Sequence, residues 1–201
     1  MRRSWIGGLV VLIAVAAVIC SLAGPAFSEE KQQEKQHMYV GSTKCKVCHN
    51  TEAQGQQYPI WEKSAHAKAY EVLAGDAAKA AAKERGIEDP QAAPECLKCH
   101  VTAYGVDKSL LGDKYSMTEG VGCESCHGPG GDYAKMSVMK AVMSGETDPA
   151  SVGLVIPTEK VCVGCHNEES PTFKGFDYEK MVAKIAHPIP EERKAKYKAA
   201  E

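Results

Sequence analysis

Four copies of one short pattern carry the chemistry of this chain. They are Cys45-Lys46-Val47-Cys48-His49, Cys96-Leu97-Lys98-Cys99-His100, Cys123-Glu124-Ser125-Cys126-His127 and Cys162-Val163-Gly164-Cys165-His166. C-x-x-C-H is the attachment signature of c-type haem. The two thiols add to the two vinyl groups of the porphyrin, and the histidine that follows ligates the iron. Disulfides would suit an exported chain but need no histidine after every second cysteine. Two zinc sites of four thiolates each would leave the histidines idle. A thioredoxin-like site needs one motif, not four. The pattern predicts four covalently bound c-type haems. Cys45, Cys48, Cys96, Cys99, Cys123, Cys126, Cys162 and Cys165 attach them, and His49, His100, His127 and His166 are the proximal iron ligands.

The chain has seven histidines, so His37, His66 and His187 remain for the far side of the irons. At most three haems can be bis-histidine within one chain. The fourth takes methionine, a group from a partner, or no protein ligand. A closed pair of axial ligands favours electron transfer, whereas an open position admits small molecules. His66 and His187 are expected ligands. His37 falls in a polar segment and reads equally well as a solvated residue. Met136, Met139 and Met143 share a helical face and read as ordinary core before they read as ligands.

The elements that must position these groups are mostly helical. Residues 59–74 read as one helix, with Pro59 in its first turn and His66, Tyr70 and Leu73 on one face. A second helix is expected from Asp76 to Arg85, stopping at Gly86. Residues 101–122 read as loop, with a short strand as the alternative. Helices are expected over 132–144 and from Tyr178 to Ala186, the latter ended by Pro188. No run of alternating residues reads convincingly as a strand. The fold class is therefore mainly α: a multihaem cytochrome c with helices and loops packed around four covalent haems and little β.

Composition agrees with an unusual interior. Charged residues make up 25% of the chain, the net charge is −2 and aromatic residues are only 6%. No concentrated basic balance points to nucleic acid. At the N-terminus, Arg2 and Arg3 precede an apolar run that ends in small residues near Ser28. This reads as an export signal over residues 1–28, cleaved after Ser28; the alternative is an uncleaved membrane anchor. Cys20, the one cysteine outside the motifs, lies in this run. Residues 29–40 are expected to be a flexible leader, 41–190 the haem-bearing domain, and 191–201 a charged helical tail. Beyond the export segment, Trp61, Phe173 and Phe176 are the only Trp and Phe, so the macrocycles must supply much of the core.

Several segments resemble the cytochrome c554 family of tetrahaem cytochromes. They are GSTKCKVCH (41–49), Trp61 with Ser64-Ala65-His66-Ala67-Lys68-Ala69, CLKCHVTAYG (96–105), GVGCESCHGPG (120–130), VCVGCH (161–166) and FDYEKMVAKIAH (176–187). The resemblance implies a mainly helical fold with haems in parallel and perpendicular pairs, and electron transfer in the periplasm. In ammonia oxidisers the family's member takes electrons from hydroxylamine oxidoreductase, and a nitric oxide reductase activity has been proposed for it. The resemblance also implies that His66 and His187 are distal ligands, and that the haem on Cys96, Cys99 and His100 is five-coordinate. One position departs. The family carries a distal histidine about ten residues after the third motif, where this chain reads DYAKMSVMK. The sixth ligand of the haem on Cys45, Cys48 and His49 is thereby left to His37, a methionine or none.

The resulting expectation is a periplasmic electron carrier that exchanges electrons with other redox proteins. An enzyme acting on a small nitrogen oxide at an open haem is the alternative, and a unit of a larger haem assembly is a third. Haem propionates add negative charge to an already acidic chain, so a basic docking face on the redox partner is expected.

Overall fold

The computed structural model describes residues 35–187, 189 and 190. The expected export signal, most of the leader, Pro188 and the charged tail lie outside the described residues. The chain divides after Glu34, and the unit beginning at Lys35 holds all four motifs.

Among the described residues eight short α-helices form: α1 Ser42–His49, α2 Gln57–Glu62, α3 Asp76–Glu84, α4 Pro94–His100, α5 Cys123–His127, α6 Met136–Met143, α7 Glu159–Val163 and α8 Tyr178–Ile185. Among the described residues there is no β-strand, only an isolated parallel bridge between Tyr39 and Leu111. The mainly α expectation holds.

Local sequence accounts for several helix ends. α3 is alanine-rich and stops at Gly86, whose φ is +71°. There the Gly86 N–H donates to the Lys83 carbonyl and the Ile87 N–H to the Ala82 carbonyl. That pair of bonds is the Schellman ending, which needs the left-handed residue glycine supplies. α4 opens on Pro94, whose missing N–H is no loss in a first turn. α8 opens on Asp177, whose side chain accepts from the Lys180 N–H.

Three expectations need correction. Residues 59–74 are not one helix: α2 ends at Glu62, and tight 3₁₀ turns follow at His66–Lys68 and Glu71–Ala74. The predicted 132–144 helix begins only at Met136, and its methionines form no core, since no residue of α6 is buried. Residues 35–40, assigned to a flexible leader, are docked. The Tyr39 N–H donates to the Leu110 carbonyl (2.7 Å), and the Tyr39 carbonyl accepts from the Gly112 N–H (2.7 Å).

The buried apolar cluster is small: Leu73, Leu97 and Val101, with Tyr70, Ala78, Cys96 and Tyr104 against it. Burying two leucines and a valine contributes roughly 1.5–3 kcal/mol each, too little to order a domain of this length.

Polar groups hold the motif-bearing segments instead. Glu124, the second residue of the third motif, is 3% exposed. Its carboxylate accepts from the N–H groups of Val40 (2.8 Å), Gly41 (2.8 Å) and Gly130 (2.6 Å). Glu119 accepts from the Ser42 N–H (3.0 Å) and hydroxyl (3.1 Å). The Ser42 hydroxyl oxygen in turn accepts from the Cys123 N–H (3.1 Å). Thr102, just past the second motif, accepts from the Gly122 N–H (2.7 Å) and bonds the Ser125 hydroxyl (2.8 Å). The first three motifs are thus joined through serine, threonine and two glutamates.

Glu124→Ala leaves three amides near the first and third motifs without their acceptor, at about 1–3 kcal/mol for each that stays buried. Denaturant unfolding of the holoprotein is expected to show a loss of about 3 kcal/mol or more, and Glu124→Gln a smaller one.

Candidate functional site

Each motif sits at the C-terminal end of a short helix: α1, α4 and α5 end on the motif histidine, and α7 runs through Cys162. On a helix, positions i, i+3 and i+4 share a face. Both thiols and the histidine of a C-x-x-C-H motif therefore point the same way, as a ring bonded at two points and ligated from below requires.

The motifs meet in pairs. α1 and α5 are joined where the Cys123 N–H bonds the Ser42 hydroxyl; Cys123 beside it raises the Cys45 pKa, and Cys45, with the Ser42 hydroxyl, lowers that of Cys123. Burial, with Cys99 beside it, pushes the Cys165 thiol up to about 12. Cys99 and Cys165 also line one cavity of about 280 Å³ with Val101, Tyr104 and Val121. Burial and then the nearby Cys162 raise the Cys126 pKa, which places these two thiols near one another. The first motif thus adjoins the third, the second adjoins the fourth, and the third connects with the fourth.

Four of the histidines meet in two pairs. The rings of His66 and His166 have centroids 6.0 Å apart, and those of His127 and His187 5.9 Å. Two imidazoles on opposite sides of one metal, each bonded at about 2.0 Å, have centroids about 6 Å apart. Burial lowers the pKa of His66, and the adjacent His166 adds to it. His127 is lowered by burial and then by His187; His187 is lowered by burial and then by His49. All three are kept neutral, the form that offers a lone pair to a metal.

Proximal histidines also present the right nitrogen. Nδ1 of His100 lies 2.6 Å from the Ala69 carbonyl, that of His127 3.4 Å from the Val155 carbonyl, and that of His49 3.3 Å from Gln57 Oε1. A metal-bound imidazole typically spends its other N–H on such an oxygen, so Nε2 is left for iron. His166 instead stacks on Phe176, with centroids 4.9 Å apart.

Apolar surface is exposed beside these groups. Val47 inside the first motif is 79% exposed, Ile156 beyond the Val155–His127 contact 57%, and Val163 inside the fourth motif 38%. Flat apolar rings at the motifs would cover such side chains. Among the described residues no three His, Cys, Asp or Glu side chains gather round one point, whereas a zinc site needs four ligands. The side chains present fit c-type haem.

His66 is where the structure departs most from expectation. It lies on a 3₁₀ turn rather than on the face of a long helix. Its carbonyl accepts from the Val121 N–H (3.0 Å) and the Ala69 N–H (3.1 Å). The Trp61 indole donates to the Val121 carbonyl (2.8 Å). The glycine-flanked segment before the third motif therefore sets where the His66 ring lies. His37, expected in a flexible leader, has its Nδ1 2.8 Å from Asp132 Oδ2 and a side chain only 11% exposed. Sequence reasoning missed Glu124 and Glu119 as organisers of the site. Glu124 occupies a variable position of the motif, and nothing local marks it.

Comparison with known proteins agrees with this geometry. Residues 44–128 match the family described as cytochrome c554 and c-prime. Cytochrome c-554 of Nitrosomonas europaea is 35% identical over 150 residues, which cover 68% of this chain and 61% of that protein. The chain thus spans about three fifths of the length of that relative. The structure of reduced cytochrome c554 from Nitrosomonas europaea superposes with a TM-score of 0.55 at 27% identity, over 76% of this chain and 86% of the other.

Gly120 has φ +76°, and a Cβ there would lie 2.7 Å from the His66 carbonyl oxygen. Gly120→Ala is expected to cost about 1–3 kcal/mol in denaturant unfolding and to perturb the absorption of one haem, the one facing His66.

Proposed function

Because the chain belongs to the cytochrome c554 family, we propose that it is a periplasmic tetrahaem c-type cytochrome that passes electrons between redox proteins. The observation that carries this reading is the pairing of the attachment helices: first with third through the Cys123 N–H and the Ser42 hydroxyl, second with fourth across the cavity that Cys99 and Cys165 line, and third with the segment leading to the fourth through the Val155 N–H and the His127 carbonyl. Groups tethered at those cysteines are brought close to one another in a connected series. Bound haem iron supplies a one-electron couple between its ferric and ferrous states.

The chain's own residues have distinct tasks. Cys45 and Cys48, Cys96 and Cys99, Cys123 and Cys126, and Cys162 and Cys165 tether the four rings. His49, His100, His127 and His166 would each hold one haem iron. His187, whose ring meets His127, and His66, whose ring meets His166, would give those two irons a second imidazole nitrogen. Two imidazoles close an iron to other ligands, which suits transfer of electrons without substrate chemistry. The placement in the periplasm rests on the basic and apolar N-terminal segment, together with thiols meant for covalent attachment. Among the described residues no helix is long and apolar enough to cross a membrane. The redox partner is expected to dock through a basic face.

One observation favours a second activity. Among the described residues His100 has no ring contact with another histidine; its Nδ1 is held by the Ala69 carbonyl, and Cys99 beside it lines the cavity of about 280 Å³. A small nitrogen oxide binding at that iron is the corresponding reading.

The intact mass of the purified protein is expected to exceed the polypeptide mass by four haems. His66→Ala and His187→Ala are each expected to convert one low-spin ferric haem to high spin in the EPR spectrum while leaving the haem count at four. A protein with fewer haems, or variants with unchanged spectra, would remove this assignment. Nitric oxide that alters the oxidised spectrum without any turnover would leave an electron carrier with one open iron. Steady turnover of nitric oxide or hydroxylamine would establish the second activity.

A further inference from the structure

The ring contacts His127–His187 and His166–His66 account for four of the seven histidines; among the described residues His100 and His49, which lies near both His127 and His187, have no such ring contact, and His37 is left without a role. We propose that His37 is the sixth iron ligand of the haem carried by Cys45, Cys48 and His49, and that Asp132 is the residue that positions it. The proposal rests on the tetrahaem reading above and deepens it.

Three observations carry it. The first is the tautomer. His37 offers Nδ1 to Asp132 Oδ2 at 2.8 Å, the same ring atom that His49, His100 and His127 offer to their own oxygens. Its Nε2 has no hydrogen-bond partner among the described residues. A histidine–carboxylate contact of this kind is the usual support of a metal-bound imidazole: it fixes the ring and makes the free nitrogen a better donor. Lys35 Nζ, 2.7 Å from the same Asp132 oxygen, helps keep the carboxylate in place.

The second is confinement. The His37 ring lies against Gly153, whose φ is +79°; a Cβ there would come within 2.8 Å of the His37 Cγ. The next residue, Met38, is fixed by its carbonyl, which accepts from the Gly131 N–H at 2.8 Å. A solvated leader histidine would be held by neither.

The third is location. From His37 the chain runs through Val40 and Gly41, both bonded to Glu124, directly into α1 and the first motif. Asp132 and Gly131 follow the third motif, whose Cys123 N–H bonds the Ser42 hydroxyl at the start of α1. His37 therefore belongs to the half of the domain that holds the first and third motifs, and the third motif already has His187. His100 lies in the other half, against Ala69. The methionines are weaker candidates: Met136 is 62% exposed, and α6 buries none of its residues.

His37 is thus brought from before the first motif to the loop that follows the third. Asp132 sits in the loop where it is anchored.

The test uses the holoprotein. In His37→Ala the oxidised EPR spectrum is expected to lose one low-spin haem and gain one high-spin haem, with the haem count still four, and added imidazole is expected to restore the low-spin signal. Asp132→Asn is expected to stay low-spin while the midpoint potential of a single haem rises, because a neutral amide supports the imidazole less strongly than a carboxylate. His37→Met, which keeps a ligating atom, is expected to raise the potential of that same haem and decides the matter if the alanine variant does not accumulate. Unchanged spin states and unchanged potentials in the His37 variants would overturn the proposal, as would a high-spin signal that imidazole does not reverse. A haem count other than four in the unmodified protein would instead overturn the tetrahaem reading.

Discussion

The buried carboxylate of Glu124 is the contact on which the haem-bearing half of this chain depends. It gathers three backbone amides from two distant segments: Val40 and Gly41, which lead into the first motif, and Gly130, which follows the third. Hydrogen bonds from amides to an ionised acceptor are stronger than those between neutral groups, and their burial makes them costly to leave unmade. Through this one side chain the approach to α1, the whole of α5 and the glycine loop behind His127 become a single piece. The adjacency of Cys45 with Cys123 and the docking of His37 beside Asp132 both follow from that piece being fixed.

The rest of the interior shows why such a device is needed. A chain that leaves Val47 and Ile156 exposed, and whose largest apolar cluster centres on Leu73, Leu97 and Val101, cannot specify its fold by burying its own side chains. Directional bonds do that work. Ser42, Thr102, Glu119 and Glu124 set relative positions, and the apolar area is left for planar rings to cover. Polar networks specify geometry well only when all members are satisfied, and among the described residues no buried side-chain nitrogen or oxygen lacks a partner.

Much of the chemistry was legible from the residues alone. C-x-x-C-H names its own function, because each thiol and imidazole has a defined bond to make. His66 and His187 were identified as facing ligands from their settings and from family resemblance, and their rings do meet those of His166 and His127. The Schellman ending of α3 was visible in Gly86. Long-range contacts were not visible. Residues 59–74 have helical periodicity, yet the backbone tightens into 3₁₀ turns where the His66 carbonyl must meet Val121, so a tertiary bond overrides local propensity. His37 reads from the sequence equally as a ligand or a solvated residue, because its partner, Asp132, is 95 residues away. Glu124 stood at a position the motif leaves free, so no local pattern marked its role.

The two ends of the domain are secured very differently. The first three motifs share buried hydrogen bonds. The fourth is linked to the second through surface groups: Lys98 with the Glu169 carboxylate, and Arg85 with the Glu169 carbonyl. Exposed ionic contacts of this sort contribute about 0–1 kcal/mol, and neither α7 nor α8 contains a buried residue. Segments with few buried contacts open at the lowest free energies. Amide hydrogens of α7 and α8 would therefore exchange with solvent far sooner than those around Ser42 and Cys123. The polypeptide is stiff at one end of its haem series and pliant at the other, and the pliant end is the one whose order leans most heavily on the tethered ring itself.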